Sequence, residues 1–205
     1  MFGNLSGSNL VIILVSIVIS LVIHEYMHGY VGHLLGDTTA RDQGRLTLNP
    51  LAHIDPFMTV LLPLITLIAF KAPVLAAKPV PFNPDRVKYD EYGAAMLAAA
   101  GPLSNLVLAF VGAVLATHVL AASPFWSNAF GIFTVLNVAL FVFNLVPIPP
   151  LDGSRVLYAF APEPMQDVMR AIEPYGLFII FGLILFAGQG GLLVNIEQHV
   201  LNLLP

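Results

Sequence analysis

The chain has 205 residues, of which 58% are hydrophobic and 10% charged, with a formal net charge of −4 and no cysteine. Soluble domains carry roughly 25% charged residues, so an all-α polytopic membrane protein, a bundle of about four to six membrane segments in one domain over 1–205, is expected rather than an ordinary soluble globule. The absence of cysteine removes disulfides, thiolate metal sites and cysteine nucleophiles, and no basic stretch suggests nucleic acid.

The first predicted helix runs from about Asn9 to Leu35 and begins with an uncharged apolar run, Leu10 to Ile23. With no Lys or Arg ahead of it, this run is expected to stay in the protein rather than be cleaved as a signal peptide. At 1.5 Å per residue the helix is about 40 Å long, against a hydrocarbon core of about 30 Å. Its C-terminal half therefore lies near one membrane surface. Gly36-Asp37 offers a C-cap and an exit.

His24-Glu25-Tyr26-Met27-His28 sits in that half and reads HExxH. Helix positions four apart share a face, so the two imidazoles can grip one metal ion, and Glu25 can act as general base toward a metal-activated water. The bland alternative is a pair of buried, hydrogen-bonded histidines.

From Thr38 to Pro50, the alternation of Arg45-Leu46-Thr47-Leu48 after Gly44 suggests a short β-hairpin. The short apolar run from Pro56 to Phe70 has cations on both flanks and reads as re-entrant or interfacial, with a spanning helix as the competitor. Lys78-Pro79-Val80-Pro81-Phe82-Asn83-Pro84 is an extended loop, because its prolines deny helix hydrogen bonds.

A small-residue-rich helix follows from about Tyr89 to Ala121, broken by Ser123-Pro124, and its Ala/Gly run reads as helix packing. Another helix spans about Phe130 to Val146 and stops at Pro147-Ile148-Pro149-Pro150. A short helix containing Arg155, a last spanning helix from about Tyr175 to Ala187 and a short amphipathic tail helix complete the chain. With the N-terminus outside, the cationic loops fall on the cytoplasmic side.

A catalytic zinc usually has three protein ligands and one open position. The soluble extended motif would need His at position 34, which is Leu34, and His33 faces the wrong way on the helical wheel. The remaining candidate is Asp152, an acidic group at the end of an apolar helix; a plain helix N-cap is the alternative use of this residue.

HEYMH, Ala99-Ala100-Gly101-Pro102-Leu103-Ser104-Asn105 and Asn144-Leu145-Val146-Pro147-Ile148-Pro149-Pro150-Leu151-Asp152-Gly153 together resemble the site-2 protease family of intramembrane zinc metalloproteases. The resemblance covers about residues 10–157, leaving C-terminal helices over about 158–205. It is to the minimal, single-domain branch, without a PDZ-like or nucleotide-sensing domain. It implies one Zn2+ per chain held by His24, His28 and Asp152, with Glu25 catalytic and the site open toward the cytoplasmic side of the cell membrane. It further implies that Asn105 and Asn144 lie near the site. Membrane-spanning proteins or peptides would be the substrates, and the lipid bilayer the surroundings. A metal-ion transporter and a catalytically inactive membrane adaptor are the competing functions.

Overall fold

The computed structural model describes residues 6–55, 78–176, 178–180, 182 and 191–205. Three of its helices are long and apolar enough to cross a membrane. The first, α1 (Gly7–Leu34), is N-capped by the Ser6 hydroxyl, which accepts from Asn9 N at 3.3 Å. Its pattern is inside-out. Ser16, Ser20, His24 and His28, spaced four apart, are buried, while Leu10, Val11, Leu14, Val15 and Val18 are exposed. A helix facing lipid can turn apolar side chains outward and keep its polar groups for its neighbours.

At its C-terminal end α1 closes in a Schellman motif. Gly36 N donates to His33 O at 3.1 Å, and Asp37 N donates to Gly32 O at 2.9 Å. Gly36 sits at φ +104°, which only glycine adopts without strain. This confirms the expected exit.

A single-turn helix, α2 (Thr39–Asp42), and a 3-10 turn (Pro50–His53) follow. The expected β-hairpin over Thr38 to Pro50 is not formed, and no strand occurs among the described residues. The cause is the buried side chain of Arg45. Its guanidinium donates to the carbonyls of Ala52, Lys78 and Pro79, folding the segment inward so that no second strand lies beside it. His53 is also buried there, its Nε2 donating to Thr47 O at 2.8 Å. The proposed re-entrant run, Pro56 to Phe70, lies outside the described residues.

After an extended stretch and the 3-10 turn Pro84–Arg86, α3 (Asp90–Val114) continues as a π-helical turn, Leu115–Val119. α4 (Pro124–Asn144) begins six residues before the sequence expectation, with Pro124 in its first turn, where the missing N–H costs nothing. α5 (Asp152–Phe160), α6 (Glu163–Ile172) and α7 (Leu192–Leu203) are shorter. α3 is the hub, packing against α1, α4 and α5. Its buried Gly93, Ala95, Ala98, Ala100 and Gly101 allow that approach. The tail helix α7 packs Leu193, Val200 and Leu201 onto Ala109, Val138 and Val142.

Candidate metal centre

His24 and His28 come from the buried face of α1, and Asp152 from the first residue of α5. The turn after α4 delivers the carboxylate. Leu145 N and Val146 N close the helix onto Phe141 O and Phe143 O, and Leu151 N then donates to Ile148 O at 2.9 Å. The chain reverses over the prolines and enters α5 at Asp152. Asp152 Oδ2 lies 3.2 Å from His24 Nε2 and 3.3 Å from His28 Nε2, and the two Nε2 atoms are 3.0 Å apart.

Hydrogen bonds behind the ligands fix which nitrogens carry protons. His28 Nδ1 lies 2.8 Å from Leu97 O, a pure acceptor, so Nδ1 donates and Nε2 is the nitrogen turned toward the cluster. For His24 the same result comes through two amides. Asn137 Nδ2 donates to Phe133 O at 2.9 Å, which turns Asn137 Oδ1 toward Asn105 Nδ2, also at 2.9 Å. Asn105 Oδ1 therefore faces His24 Nδ1 at 2.6 Å and accepts its proton. Both Asn105 and Asn137 are fully buried.

His24 Nε2, His28 Nε2 and Asp152 Oδ2 thus converge as three potential metal-binding atoms, and Asp152 Oδ2 is buried without a hydrogen-bond partner. Such a donor set fits a cation. Ligand atoms bound at 2.0–2.1 Å to a tetrahedral zinc stand about 3.3 Å apart, close to the spacings observed. Space for the cluster depends on Gly101: a Cβ there would meet His28 Nε2 and stand 2.7 Å from His24 Cε1.

Glu25 is buried beside the pair, and its Oε2 accepts from Val80 N at 2.9 Å. Asn144 is not among the residues bonded to the cluster: its Nδ2 donates to Leu140 O of its own helix at 2.9 Å. Sequence reasoning missed Asn137, although an amide inside the apolar run of α4 was the available signal. It also missed Gly101, which was read as packing. Beside the start of α5 a cavity of about 560 Å³ opens, lined in part by Phe82, Glu91, Pro150, Ser154, Arg155 and Tyr158.

Residues 116–187, which include Asp152, match Peptidase_M50, described as peptidase family M50. The chain is 41% identical over 164 residues to "Putative zinc metalloprotease YwhC" of Bacillus subtilis (strain 168), an alignment covering 76% of this chain and 71% of that protein. It is 29% identical over 157 residues to "Putative zinc metalloprotease Rip2" of Mycolicibacterium smegmatis, covering 73% of this chain and 57% of that protein. Over 91 residues it is 37% identical to "Putative zinc metalloprotease MJ0611" of Methanocaldococcus jannaschii, 44% of this chain and 46% of that protein. No solved structure matches. On this similarity the chain belongs to peptidase family M50, the site-2 protease family, and is a metallopeptidase.

Proposed function

We propose that the chain is an intramembrane zinc endopeptidase that cuts membrane-spanning segments of protein substrates, with one zinc per chain held by His24, His28 and Asp152. The observation that carries this reading is the convergence of three potential ligand atoms within 3.0–3.3 Å of one another, two of them on a 28-residue apolar helix. The names of the three relatives support zinc as the metal.

Zinc, when bound, supplies Lewis acidity toward a scissile carbonyl and a water. Glu25 takes the proton of the attacking water and returns it to the leaving amine. Asn105 and the Leu97 carbonyl keep both imidazoles in the Nδ1–H tautomer, as groups behind metal ligands commonly do. A helical substrate hides its peptide bonds, so it opens into an extended form before attack. Hydrolysis within a membrane needs a route for water, and the cavity lined by Pro150 and Ser154, on either side of Asp152 in the chain, is a candidate for it. Lys78, Arg86 and Lys88 belong to the chain joined to the C-terminal end of α1, which favours a cytoplasmic opening.

The test is metal content together with cleavage of a membrane-spanning peptide in detergent, for wild type, Glu25→Gln and Asp152→Ala. About one zinc per chain, cleavage lost in both variants and metal weakened only in Asp152→Ala are expected. Wild type without zinc, or substantial turnover by Glu25→Gln, overturns the assignment.

A further inference from the structure

Lys78 to Asn83 forms a strap across the C-terminal half of α1, and the hydrogen bonds that anchor it are made by its backbone groups. Lys78 N donates to His53 O at 3.1 Å. The buried Arg45 guanidinium holds Lys78 O at 2.6 Å and Pro79 O at 3.4 Å. At the other end, Asn83 N donates to Asp37 Oδ2 at 2.7 Å, and Asp37 is 2% exposed. Between these clamps the Val80 N–H meets Glu25 Oε2 at 2.9 Å. The Val80 side chain lies over Gly29, where a Cβ would come within 3.3 Å of Val80 Cγ1.

The sequence of the strap isolates that donor. Pro79 and Pro81 carry no N–H, so Val80 has the sole backbone donor between them. Pro81 also biases Val80 toward an extended conformation. A single N–H is thus presented from a stiff segment held at both ends, and its acceptor is the carboxylate next to His24. A general base works only if its oxygen is aimed at the proton it takes. A free Glu side chain has several rotamers, and a buried one with an oxygen tied down has far fewer.

We propose that Val80 is a positioning residue for Glu25: its backbone N–H ties down one carboxylate oxygen, aiming the other, while Arg45 and Asp37 hold the strap that presents the N–H. This rests on Glu25 acting as the base, as proposed above. It adds that the base is set from outside its own helix, by a backbone group a side-chain scan leaves in place.

One arm of the test is independent of proteolysis: hydrogen exchange at the Val80 amide in detergent. Exchange about tenfold or more faster in Glu25→Ala than in wild type is expected. Glu25→Gln, which retains an acceptor oxygen, keeps the protection. Equal exchange in wild type and Glu25→Ala overturns the proposal, whatever the protein cleaves.

The second arm is turnover of a membrane-spanning peptide. Val80→Pro removes the N–H in a segment that already carries proline on either side. It lowers kcat by about tenfold or more with KM and zinc content unchanged. Val80→Ala keeps the N–H, loses only the packing over Gly29, and falls by less than about threefold. Wild-type kcat in Val80→Pro, an equal fall in Val80→Ala, or loss of zinc in Val80→Pro overturns the proposal. If Val80→Pro does not fold, Asp37→Asn loosens the Asn83 anchor and lowers kcat at constant KM; a folded Asp37→Asn with wild-type kcat is the contrary result. Wild type that cleaves nothing refutes the protease reading and leaves the exchange arm to decide the contact.

Discussion

Gly101→Ala separates a packing glycine from one that makes room for chemistry. In a helix interior this substitution ordinarily stabilises, by up to about 1 kcal/mol, because alanine is the better helix former. At Gly101 the added methyl would stand 2.7 Å from His24 Cε1 and also meet His28 Nε2. Non-bonded carbon atoms prefer about 3.5–4.0 Å, so one imidazole must move by about 1 Å. Metal–ligand distances tolerate about 0.2 Å, so a shift of that size removes a ligand. Zinc affinity is expected to fall about 100-fold or more, equivalent to about 2.8 kcal/mol. Apo-protein stability falls by about 1–3 kcal/mol at most, the ordinary cost of overpacking, offset in part by the helix preference of alanine. Competition against a chromophoric chelator in detergent measures the first quantity, and thermal unfolding in excess chelator the second. Zinc binding by Gly101→Ala within about threefold of wild type would refute the idea that this glycine reserves space for the ligands.

Asn137→Leu removes the acceptor that orients Asn105 and lowers zinc affinity about tenfold, whereas Asn144→Leu leaves it near wild type; metal titration of both distinguishes the two amides. Stripping zinc with a chelator lowers the midpoint of thermal unfolding, by an amount corresponding to about 2.7 kcal/mol when free zinc had been 100 times Kd, and re-addition restores it. Burial pushes the Asp37 carboxyl up, but the hydroxyl and amide of Thr39, the amide of Asn83 and the Arg86 charge outweigh it and leave it below the ordinary carboxylate range. The stability this gives is present above the unfolded-state value of about 3.9 and is lost as pH falls through the lower folded-state value. Asp37→Asn therefore flattens the acid limb of a stability-versus-pH curve, and an unchanged limb would contradict the assignment.

The sequence made the candidate ligands legible because helical spacing is strict: His24 and His28 share a face wherever α1 is placed. Asp152 was legible because an acidic residue after a proline-terminated apolar helix has few ordinary uses. Residues 38–50 were misread because alternation is a local signal. The group that decides their path is Arg45, and its acceptors at Lys78 and Pro79 lie more than thirty positions away. Asn137 and Asn144 show the same limit at higher resolution. They stand seven apart, nearly on one face of α4, and composition cannot say which one is level with Asn105. Depth in the bundle decides: Asn137 reaches Asn105, and Asn144 folds back on Leu140. Gly101 looked like any small residue in a close-packed membrane helix until the imidazoles were seen beside it.

Asp152 follows His24 by about 130 residues, and the structure closes that gap at a single point. With Asp152 as third ligand, a growing chain that has inserted α1 carries the histidines and the base but no complete site. It acquires one only after α3 and α4 are in place and the proline turn has emerged behind them. Order of synthesis then acts as a safeguard. On the proposed ligand set, fragments from interrupted translation would lack a complete metal site, and hydrolytic competence would arrive together with the bundle that confines it.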